Sequence, residues 1–269
     1  MYKLVALDMD GTLLNSEKQL TPRVRSAISE AKKQGVKVVL ASGRPYEGML
    51  PTIKALELDG IEDYALPYNA SLILKVACGT IVSSAILTGQ DAIDLYQLAQ
   101  ALQVNILAYS TTRGLITPRQ NKYTDYEAEL NGITFSEFDF NQLDKNEDII
   151  KVMLVDEPEV LSKAIVKLPP TLQTQYSVAR SLPCFYEFTN KSSNKGKGME
   201  ALISHLGLTA EQIICVGDAD NDLEMIKFAG LGIAMENAVD EVKSHANYIT
   251  KSNDQDGVAH VFEKYILND

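Results

Sequence analysis

The sequence offers little that would tie it to nucleic acid, a membrane or a disulfide scaffold. Its 269 residues carry 25 Lys and Arg against 36 Asp and Glu, a formal net charge of −11. A diffuse attraction to polyanions has no basis there, so any anionic ligand must be met by local groups. There are three cysteines, Cys78, Cys184 and Cys215, with no C-x-x-C pair among them; they suit a reducing compartment and read as buried apolar fillers. The histidines, His205, His245 and His260, are dispersed and lack the spacing of a metal site. No window approaches the ~20 apolar residues of a membrane span. Asp8 and Asp10 interrupt the stretch that a signal peptide would keep apolar. The expectation is a cytoplasmic protein without nucleic-acid or membrane partners.

What is present is an ordinary globular composition, 45% hydrophobic and 23% charged, which excludes disorder and collagen. At roughly 150 residues per domain the length suggests two domains. Leu4-Val5-Ala6-Leu7 is apolar on both faces, as a central strand of a parallel sheet should be, and it ends at Asp8. Thr21 and Pro22 then open a helix whose stripe is Val24, Ala27, Ile28 and Ala31, stopped by Gly35. Val36 to Leu40 reads as a second buried strand, followed by Ser42-Gly43-Arg44 and a helix opened by Pro45. The same grammar returns late in the chain, with a helix from Gly198 to Leu206 and a strand from Ile213 to Val216 that runs into Asp218.

Between these ends strands outnumber helices. Helices are expected near Asp91 to Leu102 and Pro158 to Leu168, and strands near Ile106 to Tyr109, Ile149 to Val155, Tyr176 to Arg180 and Phe185 to Phe188. The predicted fold is α/β, a doubly wound parallel sheet over 1–83 and 191–269, interrupted by an α+β insertion over 84–190.

Ligands of open α/β sheets bind outside the carboxyl ends of the strands. Three such ends carry functional groups, Asp8-Met9-Asp10-Gly11-Thr12, Ser42-Gly43-Arg44 and Gly217-Asp218-Ala219-Asp220-Asn221-Asp222, and Lys195 stands at a helix start. Carboxylates gathered at one edge repel each other unless positive charge sits among them. Hard oxygen donors without a His or Cys cluster select Mg²⁺, with Lys195 as a second cation. In such a setting Asp8 is the candidate nucleophile towards phosphorus. Asp10 is the candidate acid that protonates the leaving oxygen and then, as a base, takes a proton from water. Ser42, main-chain amides and Lys195 would hold the phosphoryl oxygens.

D-x-D-G-T after a buried strand, a Ser after the second strand, a later Lys and G-D-x-x-N-D, all in order, resemble the haloacid dehalogenase superfamily. Within it the chain is similar to the Cof-type hydrolases, and most of all to the YidA-like sugar phosphatases, across essentially its whole length. The resemblance implies Asp8 as nucleophile, Asp10 as general acid/base, and Mg²⁺ held by Asp8, the Asp10 carbonyl and Asp218, with Asp222 behind them. It implies phosphate held by the Met9 and Gly43 backbone, Ser42, Lys195 and Asn221, with Arg44 and Asn69 near the substrate entrance, and it makes the insertion a C2-type cap that selects the substrate. The family's usual Asn-Gly-Ala loop stands here as Asn69-Ala70-Ser71, a loss of Gly that bears on that loop's backbone.

Each residue alone has a plainer reading. A lone strand-end Asp is most often a turn residue or cap, Lys195 a solvated lysine, Ser42 an N-cap, and Asp222 a cap for the helix starting near Leu223. Arg113, Arg119, Arg180, Tyr123, Tyr126 and Glu187 of the insertion could read a sugar or second anion, but surface roles are their default. The expected activity is a Mg²⁺-dependent phosphatase of small phosphorylated metabolites, sugar phosphates first. The alternatives are a phosphatase of a phosphorylated vitamin such as pyridoxal phosphate or FMN, a phosphomutase, and a receiver-like phosphorylatable module; the last has no use for an acid/base at Asp10.

Overall fold

Leu4–Leu7 form β1 with every side chain buried, and β1 pairs in parallel on both sides. In chain order there follow α1 (Pro22–Lys33), β2 (Lys37–Ala41), α2 (Tyr46–Ala55), β3 (Tyr64–Leu66), β4 (Leu72–Lys75) and β5 (Ile81–Ser84). The insertion contributes β6 (Leu87–Thr88), α3 (Gly89–Leu102), β7 (Asn105–Ser110), β8 (Gly114–Thr117), α4 (Lys122–Asn131) and β9 (Phe135–Glu137). It continues with β10 (Asp148–Val155), α5 (Pro158–Ile165), α6 (Leu172–Gln175), β11 (Tyr176–Leu182) and β12 (Phe185–Asn190). The chain closes with α7 (Lys195–Leu206), β13 (Ile213–Gly217), α8 (Leu223–Phe228), β14 (Leu231–Ala234), α9 (Asp240–His245), β15 (Tyr248–Ile249) and α10 (Gly257–Phe262). This computed structural model describes residues 1–267. It divides into two units, Met1–Ser84 with Asn194–Asp269, and Ala85–Ser193. The unit boundaries thus fall one residue later at the first crossover, and three later at the second, than the sequence suggests.

The first unit holds an eight-stranded sheet ordered β15-β14-β13-β1-β2-β3-β4-β5. Strands β15 to β3 are parallel, whereas β4 and β5 run antiparallel at one edge. The α/β fold is as expected, with that edge as a correction to an all-parallel sheet. Alternation along β1 explains the two covered faces: Val5 and Leu7 pack with Val24 and Ile28 of α1 and Phe262 of α10, while Leu4 and Ala6 pack with Met199 and Leu202 of α7. Helix α1 begins as its sequence dictates, with the Thr21 hydroxyl accepting from the Val24 amide at 3.3 Å and Pro22 in the first turn.

The second unit is a sheet ordered β11-β12-β10-β7-β8-β9, antiparallel except for β8 with β9. Ala108, Val152, Leu154 and Phe188 form one face, packed by Ala92 and Leu95 of α3 and Leu161 of α5. Elsewhere in this unit Lys151 is buried, 3.2 Å from Glu187 and 3.9 Å from Glu127 of α4, while the Tyr109 hydroxyl donates to Glu127 at 2.6 Å.

Two further readings are corrected. Cys215 is buried as expected, but Cys78 is exposed and Cys184 half-buried. The helix from Pro158 stops at Ile165, before Leu168. Among the described residues no helix is long and apolar enough to cross a membrane.

Candidate active site

Every residue singled out at the strand ends lies in the first unit. Asp8 follows β1 directly, its amide held by the Val216 carbonyl of β13 at 3.1 Å, which fixes its side chain at the carboxyl edge of the sheet. Lys195 is the first residue of α7 and is wholly buried. Its Nζ donates to Asp8 Oδ1 at 2.5 Å and to Asp222 Oδ1 at 2.6 Å. Asp222 is equally buried, and its Oδ2 accepts from the amides of Asp218 and Ala219 at 2.9 and 3.0 Å. Its carboxylate therefore folds back on the preceding turn and does not cap α8, which corrects the capping expectation.

Asp218 follows β13 and accepts the Thr12 hydroxyl at 2.7 Å. Gly11 permits this approach: its φ is +85°, and a Cβ there would lie 2.4 Å from Asp218 Oδ2. Asp8, Asp218 and Asp222 each offer an oxygen, and these lie within 4.8 Å of one another. Burial, then the Asp222 charge, pushes the Asp8 carboxyl up to about 8 against the pull of Lys195. Burial also raises Asp218. Lys195 resists desolvation because Asp222 and Asp8 hold its proton, so it is raised. Three carboxylates thus face one ammonium. A hard oxygen donor set short of positive charge fits a divalent cation of the Mg²⁺ type.

Asp10 points to a different set of partners. Arg44 grips it with a fork, Nε to Oδ2 at 2.7 Å and Nη2 to Oδ1 at 2.6 Å, and Lys18 Nζ reaches Oδ1 at 2.7 Å. Burial pulls the carboxyl upward, but the hydrogen bonds and charges of Arg44 and Lys18 overcome it, so Asp10 is held below the usual range.

On the β2 side, the Ser42 hydroxyl accepts the Arg44 amide at 3.2 Å and the Ser42 carbonyl accepts the Asn69 amide at 2.8 Å. Asn221 donates to Asn69 Oδ1 at 2.9 Å. Tyr68, Asn69 and Ala70 have φ of 53°, 55° and 64°, three left-handed residues in a row without a glycine. Ala70 stands against α7, where a Cβ on Gly198 would fall 2.3 Å from its own. Met9 is buried, its carbonyl accepting the Leu14 amide at 2.9 Å.

The geometry therefore draws Asp8, Lys195, Asp218 and Asp222 together, Asp10 with Arg44, and Asn69 with Asn221 beside Ser42 and Gly43. Sequence reasoning missed Lys18, Thr12 and Asn237, whose side-chain amide donates to the Gly11 carbonyl at 2.8 Å. Thr12 was in plain view inside D-x-D-G-T; Lys18 and Asn237 carry no local signal. In the second unit, Arg113 is engaged by Glu147 at 3.0 Å, and Arg180 by the Pro158 and Pro183 carbonyls.

A match to the haloacid dehalogenase-like hydrolase family spans residues 5–262. YxeH of Bacillus subtilis (strain 168), whose name classes it among phosphatases, is 37% identical over 269 residues, 99% of each chain. YcsE of the same organism, named a 5-amino-6-(5-phospho-D-ribitylamino)uracil phosphatase, is 29% identical over 265 residues, 98% of this chain and 96% of that one. Among solved structures, a haloacid dehalogenase-like hydrolase from Bacteroides thetaiotaomicron superposes with a TM-score of 0.88 at 35% identity, covering 98% of this chain and 99% of that one.

Proposed function

Because the chain belongs to the haloacid dehalogenase-like hydrolase family, we propose that this phosphatase is a Mg²⁺-dependent phosphomonoesterase that works through an aspartyl phosphate on Asp8, with sugar phosphates as its first substrate class. The observation that carries this reading is the buried Asp8–Lys195–Asp222 array beside Asp218.

Asp8, Asp218 and the Asp10 carbonyl would hold the cation, which when bound neutralises the carboxylates and draws charge from the phosphoryl group. Asp8 attacks phosphorus with the carboxylate oxygen that Lys195 leaves open. Asp10 in its protonated form, which requires the Arg44 and Lys18 contacts that hold it ionised to loosen, gives its proton to the ester oxygen as the phosphorus–oxygen bond breaks, so the alcohol leaves neutral. Water then enters with Asp10 taking its proton, the bond from Asp8 to phosphorus breaks, and inorganic phosphate departs. Lys195, the Ser42 hydroxyl, the Met9 and Gly43 amides and Asn221 bind the phosphoryl oxygens, and Arg44 and Asn69 lie towards the alcohol. Substrate selection is assigned to the inserted unit.

A second reading is favoured by YcsE, whose named substrate is a phosphorylated ribityl chain attached to a heterocycle: the physiological ester would then be a vitamin precursor or cofactor. A panel of sugar, polyol and cofactor phosphates, assayed for released phosphate with and without Mg²⁺, tests both. Metal-independent release, or full activity in Asp8→Asn, would refute the mechanism.

A further inference from the structure

Asn237 has no part in the steps above, yet it stands where three segments of the first unit meet. It lies in the turn after β14, and both ends of its exposed side-chain amide are engaged. Nδ2 donates to the Gly11 carbonyl at 2.8 Å, and Oδ1 accepts the Asn253 amide at 3.0 Å. Two residues further on, the Val239 amide donates to the main-chain carbonyl of Asp218 at 3.0 Å. One short turn therefore grips the loop after β1 by a side chain and the loop after β13 by its backbone.

Asn253 gives this grip an anchor. It is buried, and its Nδ2 holds the Leu14 carbonyl at 3.0 Å. The Asp254 carboxylate accepts the Ser16 amide and hydroxyl at 2.8 and 2.7 Å, and Asp256 Oδ1 accepts the Thr21 hydroxyl at 2.6 Å. Between these points residues 15–19 make a tight turn in which Asn15 Oδ1 accepts the amides of Glu17 and Gln19 and Lys18 adopts φ 60°, a left-handed conformation. The segment 253–256 thus holds the loop after β1 along its length, and Asn237 carries that hold to Gly11.

The Asp218 carboxylate depends on this placement. Among the described residues the Thr12 hydroxyl is the one hydrogen-bond donor to its side chain. Thr12 is joined to Gly11 by the same peptide whose carbonyl Asn237 holds, and a peptide is a rigid plane, so fixing its carbonyl orients the unit that leads into Thr12. We propose that Asn237 is a positioning residue for the cation site: it sets the spacing of the loops that carry Asp8 and Asp218, so that their oxygens suit Mg²⁺. This rests on the cation site of the phosphatase reading above. Mg²⁺ demands near-octahedral geometry with ligands at about 2.0–2.1 Å, whereas Ca²⁺ accepts a flexible shell at about 2.3–2.6 Å. Loosening the two loops therefore penalises the smaller ion selectively. Two hydrogen bonds with a merely structural role would lower stability and leave the preference between the ions unchanged.

The test titrates Mg²⁺ and Ca²⁺ separately into the metal-free full chain and takes each apparent Kd from the rise in Tm. Asn237→Ala is expected to weaken Mg²⁺ about 10-fold and Ca²⁺ less than about 2-fold, as loss of an outer partner of metal ligands does. Asn237→Asp keeps the acceptor for Asn253 and loses the donor to Gly11. Its added charge acts on both ions alike, so the preference for Mg²⁺ over Ca²⁺ is the quantity to read, and it is expected to fall about 5-fold or more. Equal weakening of both ions, or of neither, in these variants overturns the proposal while the cation site stands. A wild-type Tm that neither ion raises refutes the cation site and this proposal with it. A wild type that binds Mg²⁺ yet releases no phosphate from any ester refutes the phosphatase reading, and the melts then decide the role of Asn237 separately.

Discussion

Lys195 Nζ lies 2.5 Å from Asp8 Oδ1 with the lysine wholly out of solvent. Removing the ammonium would leave Asp8 and Asp222 facing each other as buried, uncompensated acids. Lys195→Met is therefore expected to destabilise the fold by about 3–5 kcal/mol and to reduce phosphate release by at least ~10²-fold. Chemical denaturation and a phosphate assay on the same preparation check both.

Asp8 also sets a pH dependence. Its carboxyl is near 8 in the folded protein against 3.8 in the unfolded chain, so the native state binds more protons between those values. Metal-free protein should lose stability as pH rises from about 4 to 8, by at most ~1.4 kcal/mol per unit from this group. Asp218 shifts in the same direction. Thermal melts in chelator should show that slope, Asp8→Asn should flatten it, and millimolar Mg²⁺ should offset it in the wild type.

The inserted unit makes an independent prediction. Burial raises the Glu127 carboxyl despite Lys151 and the Tyr109 hydroxyl. An acid raised in the folded state costs stability above its folded pKa and nothing below its unfolded one, so stability falls with rising pH through that window. Glu127→Gln can still accept from Tyr109, and Glu187 still faces Lys151. The variant is expected to match or exceed wild-type stability at pH 7 and to lose the advantage below pH 4, as followed by denaturant titration.

Gly198 and Ala70 form a size pair. A methyl on Gly198 would meet the Ala70 Cβ at 2.3 Å, so Gly198→Ala is expected to cost about 1–3 kcal/mol. Ala70→Gly removes both the obstacle and a left-handed alanine, φ 64°. The double variant should recover most of the loss, with a coupling energy of about 1–3 kcal/mol in a double-mutant cycle. Simple addition of the two effects would refute the packing account.

The doubly wound core was legible because Leu4–Leu7 and Ile213–Val216 are apolar on both faces and break into acids. That pattern is short-range, and a short-range pattern suffices for a central parallel strand. Ile81–Ser84 escaped attention because this edge strand is half polar and largely exposed, whereas Leu72-Ile73-Leu74 is as apolar as β1 but ends in Lys75 and not in an acid at a site. Helix α4 was invisible for a similar reason: its buried face includes Glu127 and Thr124, residues that read as solvated. At the site, Asp8, Asp10 and Asp218 were found through their place after strands. Lys18 could not be, because its meaning lies in a left-handed turn and in the Arg44 fork, neither of which leaves a local trace. Cys78 shows the converse failure, an apolar residue type on an exposed turn.

The Ser16–Asp254 contact joins residues 238 positions apart. A nascent polypeptide cannot pin the turn at residues 15–19 to Asp254 until some 238 further residues have been made. Asp8 and Asp10 are made long before Asp254 can hold the turn that follows them, so the order of this edge of the sheet depends on contacts of high sequence separation.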